Sequence, residues 1–250
     1  MHALGKWILQ RWLFICARLS VARHKPFTIA ITGSTHKTLV KEYLCTALKE
    51  HGHMVRSHPK SYNTEIGLPL TILSLESGQG SVSAWLRILV RALGRALFER
   101  NYPGILIVEL GADHPGDIPY LLAMIQPTIA VVTTVTSQYI SQFGDLERTA
   151  IEFSLLVKNI PKKGLVVLNG DDVRVQNLEK RTKASCCIIG SSQYSTAIIK
   201  EIDETGSAQS WTLCIEERQQ RFQTERRGEH HRFALSAAKI IHQWIDTHRV

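Results

Sequence analysis

The sequence predicts an α/β fold: a mostly parallel sheet with helices on both faces, a small antiparallel extension and an N-terminal amphipathic helix. Three observations carry this expectation. Short continuous apolar runs recur along the chain, as they do in strands buried on both faces. Segments of helical length separate them, the alternation expected of a layered parallel sheet. The first run ends in a glycine-containing turn that opens a helix.

From Ala3 to Val21 the chain is apolar but interrupted by Lys6, Gln10, Arg11 and Arg18. It is too short and too charged to cross a bilayer, and it lacks the small-residue cleavage site of a secretory signal. It reads as a basic amphipathic helix carrying Trp7, Trp12 and Phe14, which either lies on a membrane surface or packs against the adjoining domain. Residues 1–26 are thus set apart from one domain over 27–250. After Lys25-Pro26, FTIAIT (Phe27 to Thr32) is a strand, GSTHK a turn, and Thr38 to His51 a helix. Further strands are GILIVEL (Gly104 to Leu110), TIAVVTTV (Thr128 to Val135), GLVVLN (Gly164 to Asn169) and SCCIIG (Ser185 to Gly190). Between Ser81 and Arg100, apolar residues at helical spacing alternate with Arg87, Arg91, Arg95 and Arg100. Tyr194 to Glu225 alternates polar and apolar residues around a turn at 204–207, the pattern of antiparallel strands at a sheet edge. His230 to Thr247 closes the chain as a helix.

At 250 residues and 44% hydrophobic content, the chain can bury one large core with an appendage. Its net charge of +8 suits phosphate-rich ligands, nucleic acid or an anionic membrane. No aromatic-and-basic motif accompanies that charge, which argues against a nucleic-acid partner. The five cysteines (Cys16, Cys45, Cys186, Cys187, Cys214) show no metal-ligand spacing. They read as reduced, buried, small side chains of a cytoplasmic protein. Cys186 and Cys187 are adjacent on a strand and point to opposite faces.

The sharpest chemical signal is Thr32-Gly33-Ser34-Thr35-His36-Lys37-Thr38, at a strand-to-helix junction. Backbone N–H groups and the helix N-terminus at such junctions point at anions, the P-loop arrangement. Lys37 is then placed for the β- and γ-phosphates, and the Thr38 hydroxyl for Mg²⁺. His36 departs from the pattern, which has glycine there. Its side chain either crowds the phosphates or forces a backbone conformation that glycine adopts at less cost.

TIAITGSTHKT resembles the TGSxGKT loop of the Mur ligases, the ATP-dependent peptidoglycan precursor ligases. Four further segments occur in that family's order. SYNTEIGLPLTIL (Ser61 to Leu73) and VELGADHPGDI (Val108 to Ile118) are similar to segments of the branch that adds D-alanyl-D-alanine to the UDP-muramoyl tripeptide. NGDD (Asn169 to Asp172) resembles the family's nucleotide-site turn, and GEHHRFALSAA (Gly228 to Ala238) its Gly-x-His helix start. The resemblance implies the family's central ATP-binding domain, with ATP phosphorylating a carboxylate and an amine then displacing phosphate to form an amide. Carried over by position, Gly33, Ser34, Thr35, His36, Lys37 and Thr38 cradle ATP. Lys37 and Glu109 are catalytic, Thr38 and Glu109 hold Mg²⁺, and Asn169 with Asp172 lies near the nucleoside. His114 is expected to act structurally.

Two departures bear on activity. The family places a metal-binding histidine in a His-x-x-x-Phe-Gly context, where Tyr139 stands here, and a carbamylated lysine where Phe153 stands. Glu152 is adjacent but faces elsewhere on its helix. The resemblance covers about Phe27 to the C-terminus, so the domains that bind the UDP-muramoyl peptide and the D-alanyl-D-alanine in active family members are expected to be absent. The implied alternatives are a degenerate ligase domain, one subunit of a heteromeric ligase, or an inactive binding or scaffold module with a protein partner.

Overall fold

The computed structural model describes residues 3–79, 81–204 and 208–248. In chain order the elements are α1 (Ala3–His24), β1 (Phe27–Thr32), α2 (Lys37–Glu50), β2 (Val55–Arg56), α3 (Gly67–Leu73), α4 (Val82–Phe98), β3 (Ile105–Glu109), α5 (Asp117–Leu122) and β4 (Ile129–Val132). They continue with α6 (Ile140–Phe143), α7 (Leu146–Asn159), β5 (Leu165–Asn169), α8 (Val173–Gln176), β6 (Ser185–Gly190), β7 (Ala197–Asp203), β8 (Gln209–Ile215), β9 (Arg218–Thr224) and α9 (Glu229–His248). The turn expected at 204–207 falls largely on residues 205–207, outside the described residues.

These strands join one sheet in the order β2-β3-β1-β4-β5-β6-β7-β8-β9. Pairing is parallel from β2 to β7 and antiparallel from β7 to β9. The continuous apolar runs reflect burial on both faces. In β1, β3, β4 and β5 the residues Ala30, Leu106, Ala130 and Val166 enter one core. Their neighbours Ile29, Ile107, Ile129 and Val167 enter the other, beneath α2 and α9. Cys186 and Cys187 divide between the two cores, as the period of two requires. All five cysteines are unpaired, but only Cys16 is buried; the other four are part-exposed.

The N-terminal helix forms, with a different distribution from the expected one. Leu9, Leu13, Cys16 and Ala17 are buried, while Trp7, Ile8, Trp12, Ile15 and Leu19 remain exposed, so the helix is apolar on both sides rather than amphipathic. It packs against α3 and α4, where Trp12 Nε1 donates to Leu89 O at 3.0 Å. Gln10 Nε2 donates to Glu65 Oε1 at 2.7 Å and ties it to the 61–73 segment. No helix among the described residues is long and apolar enough to cross a membrane.

Candidate functional site

In this sheet order β1 lies between β3 and β4, so the chain leaves β1 toward both sides and a crevice opens beyond the strand ends. The loop from Gly33 to Lys37 occupies that position. It is fastened to the loop after β4: Ser34 N donates to Thr134 O at 2.7 Å, Thr133 Oγ1 to Thr35 O at 2.7 Å, and Thr136 N to Ser34 Oγ at 2.9 Å. This close approach dictates Gly33. Its φ is +131°, and a Cβ there would meet Thr133 Oγ1 at 2.0 Å.

His36 sits at φ 63°, ψ 12°, the left-handed region that glycine enters without steric cost. The histidine in place of glycine is therefore held in a strained conformation. Its ring stacks on His230 with centroids 4.4 Å apart, and His230 contacts His231 at 4.5 Å. Burial, then His230 and Lys37, hold the His36 imidazole below its ordinary value.

Lys37, at the first position of α2, is buried and bridges the loop: Nζ donates to Gly33 O at 2.5 Å and Ser34 O at 3.2 Å. Burial lowers its pKa, opposed by Glu109 and Asp113. Glu109 follows the alternation of β3 and points toward α2, on the same side as Ile105 and Ile107. There Thr38 Oγ1 donates to Glu109 Oε2 at 3.1 Å and Ser61 Oγ to the same oxygen at 2.8 Å.

Sequence reasoning missed two members of this group. Lys41 Nζ lies 2.8 Å from Glu109 Oε1, both side chains almost wholly buried, and it donates to His58 O and Lys60 O. One turn after Lys37, Lys41 carries no signal that sets it apart from a solvated helix residue; the 58–61 segment that covers it leaves no local periodic pattern. Ser61 stands in the sequence only at the start of a motif. The Lys41–Glu109 approach is an ion pair outside hydrogen-bond alignment, so Oε1 remains a buried acceptor without a donor among the described residues. A hydroxyl and a carboxylate with an open lone pair are the oxygen ligands Mg²⁺ takes, and the set fits one such ion.

Neither Phe153 nor Tyr139 supplies a ligand for a second ion beside Glu109. Phe153 is fully buried in the core. Tyr139 is part-buried, and burial, then Asp113, raises its phenol. Glu152 Oε1 instead accepts from Gly116 N at 3.1 Å and Ile118 N at 2.9 Å, which fixes the entry to α5. His114 contributes its backbone N–H to Asp117 Oδ2 at 2.8 Å, while its side chain is exposed in the loop. The nucleoside candidates are tied to backbone. Asp172 Oδ2 accepts from Val135 N at 2.7 Å and Oδ1 caps α8 through Arg174 N and Val175 N. Asn169 Oδ1 accepts from Asp171 N at 3.1 Å. A cleft of about 740 Å³ between α1 and the 111–117 loop is lined by none of residues 33–38. A phosphate is held by backbone N–H groups at a helix N-terminus, so the 33–38 loop needs no deep cleft to bind one.

Residues 93–240, more than half of the chain, match the Mur ligase middle domain family. The UDP-N-acetylmuramoyl-tripeptide–D-alanyl-D-alanine ligase of Mycobacterium leprae is 32% identical over 167 residues, which cover 67% of this chain and 28% of the relative. That of Haemophilus influenzae is 24% identical over 220 residues, 86% of this chain and 42% of the relative. Among solved structures, MurF from Acinetobacter baumannii aligns with a TM-score of 0.74 at 19% identity, over 95% of this chain and 46% of that one. MurF ligase from Thermotoga maritima in complex with ADP aligns with the same TM-score at 20% identity, over 95% and 49%. These structural identities show the fold alone, and the chain spans less than half the length of each of these relatives. By the family match, the chain belongs to the Mur ligases through their middle domain.

Proposed function

We propose that the chain binds ATP at residues 33–38 and serves as the nucleotide-handling domain of an amide-forming ligase of peptidoglycan precursor synthesis, without ligase activity of its own. The observation that carries this is the convergence of Thr38 Oγ1 on Glu109 Oε2 at 3.1 Å beside the loop that Lys37 bridges. Lys37 would turn from the loop carbonyls to the phosphates, its charge placed by the start of α2. Thr38 and Glu109 would hold Mg²⁺, which when bound neutralises charge as a phosphoryl group meets a carboxylate. Lys41 and Ser61 hold the Glu109 carboxylate in place, Lys41 beside Oε1 and Ser61 donating to Oε2. The relatives' names support the substrates, a UDP-muramoyl tripeptide and D-alanyl-D-alanine. Tyr139 and Phe153 support the absence of independent activity, since neither supplies a ligand for a second ion. The test is calorimetric titration with Mg²⁺-ATP. Lys37→Ala should weaken binding about ten- to hundredfold, the loss of one charge-assisted phosphate contact. An unchanged affinity would place the nucleotide elsewhere.

A second reading, a docking module for a protein partner, is favoured by the face that α1 and α4 share. Ile8, Ile15, Leu86 and Val90 are exposed on these two helices, alongside exposed Arg87, Arg91 and Arg95. An apolar patch rimmed by one sign of charge is the mark of an interaction surface, here for a partner with an acidic rim. The uncovered face should make the native chain associate with itself as concentration rises, and a Leu86→Glu, Val90→Glu variant should remain monomeric. A monodisperse native chain, or its flotation with anionic liposomes, would count against a protein partner.

A further inference from the structure

Helices α2 and α9 run side by side in the same direction, with histidines at both ends. His36 stacks on His230 where they begin, and His51 lies against His242, tilted by 46° with ring centroids 3.8 Å apart, where they finish. The first group belongs to the phosphate loop. The second lies the length of α2 away, about 21 Å, and nothing in the nucleotide reading uses it.

At that far end, ligand atoms of His53, His242 and Asp246 all lie within 4.8 Å of one another. His53 Nε2 is 3.8 Å from Asp246 Oδ1, and His242 Nε2 is 3.4 Å from Asp246 Oδ2. His242 is only 5% exposed, and neither of its ring nitrogens has a hydrogen-bond partner among the described residues. Nε2 has only the Asp246 carboxylate at 3.4 Å, outside hydrogen-bond alignment, and Nδ1 has no partner, so the ring has lost its hydration without full compensation, a deficit that a cation at Nε2 would reduce.

The placement arises from local structure. His242 and Asp246 are four residues apart on α9 and share a face. His53 is set by the turn that closes α2, where its N–H donates to Leu48 O at 3.0 Å and Gly52 N to Lys49 O at 3.0 Å. His51 Nδ1 donates to Ala47 O at 2.7 Å, which leaves its Nε2 as the free nitrogen beside the group.

We propose that His53, His242 and Asp246 form a binding site for a divalent transition cation, zinc foremost, that clips the end of α9 to the turn between α2 and β2. Two imidazoles and a carboxylate select such an ion over Mg²⁺ or Ca²⁺, which take oxygen ligands. Zn²⁺ with three protein ligands keeps a fourth position for water. Ligand atoms around tetrahedral zinc stand about 3.3 Å apart, so the observed separations close with rotamer-scale adjustments.

The test uses the full chain, tag-free and stripped of metal, titrated with zinc chloride by calorimetry and scanned for thermal unfolding with and without zinc. One equivalent should bind and raise the unfolding temperature. Excess Mg²⁺ should not displace it, and Co²⁺ in its place should give the intense visible absorption of a tetrahedral site. Asp246→Asn and His53→Ala change residues outside the buried core, so both variants should fold. Each should lose at least about tenfold in zinc affinity, the least that even a change to a residue supporting a ligand costs such sites. His230→Ala should bind as the native chain does. Failure of the native chain to bind zinc, undiminished affinity in either ligand variant, or loss in His230→Ala would each overturn the proposal. None of these outcomes bears on nucleotide binding, which is read separately through Lys37→Ala.

Discussion

The ammonium of Lys41 lies 2.8 Å from the Glu109 carboxylate with side chains 4% and 1% exposed, so each is the charge partner the other needs in order to be buried. Removing one partner strands the other. Lys41→Met should therefore destabilise the chain by about 3–5 kcal/mol, and adding Glu109→Gln should recover part of that loss. Urea denaturation of the native chain, the two single variants and the double variant measures the coupling. Strictly additive losses would show that the pair is not a unit.

His36 holds a left-handed backbone that costs a non-glycine residue of order 1–3 kcal/mol. Part of the gain from glycine is returned as chain entropy in the unfolded state, and the stack on His230 is lost. His36→Gly should thus stabilise the chain by roughly 1 kcal/mol and tighten Mg²⁺-ATP binding. His36→Ala keeps the strain and loses the stack, so it should do neither. Equal ATP affinities for the two variants would remove the backbone of residue 36 as the limiting feature.

His36, His58 and His231 are all held below the ordinary imidazole value of 6.5, in each case chiefly by burial. Neighbouring His230 and Lys37 add to this at His36, and His230, Arg226 and His36 at His231. Glu76 opposes it at His58. As pH falls below 6.5 the unfolded chain takes up these protons first, so stability is full above that value and declines through the folded-state values below it. Denaturation midpoints should fall between about pH 7 and pH 5, before most carboxylates titrate. A midpoint that is flat or rises on acidification across that window would contradict the assignment.

With ATP, Mg²⁺, bicarbonate, the UDP-muramoyl tripeptide and D-alanyl-D-alanine, the native chain should release phosphate no faster than a protein-free blank. Introducing Tyr139→His and Phe153→Lys should not restore the reaction. Truncating a core phenylalanine costs about 3–5 kcal/mol, and a lysine at fully buried Phe153 adds an unpaired charge. The double variant should unfold at lower denaturant than the native chain. Ligated product in the mass spectrum, with substrate-dependent phosphate release by the native chain, would make it a working ligase.

Local sequence records some of this architecture and not the rest. Phe27–Thr32 and Ser185–Gly190 are legible to the residue because each is a β-rich run ended by turn residues, and the phosphate loop because its glycine and lysine stand at a junction. The two-residue strand Val55–Arg56 is not, since its pairing with β3 leaves no period to detect. Nor is the partner of Glu109, because Lys41 is buried by a loop that returns from residues 58 to 61. The apolar residues of α1 are visible, but which of them are covered depends on α3 and α4, more than forty positions away. His53 and Asp246 meet only because α9 comes back along α2, a consequence of topology that no short window contains.

The two ends of the sheet differ in kind yet share a consequence. At one end β2 offers two residues for pairing. At the other, β9 presents Arg218, Gln219, Gln220 and Arg221 to solvent. A stub and a charged, amide-rich margin both resist templating another chain's strand. The sheet is thereby guarded against polymerising through its own hydrogen bonds, which leaves helical surfaces as the route by which this protein meets its neighbours.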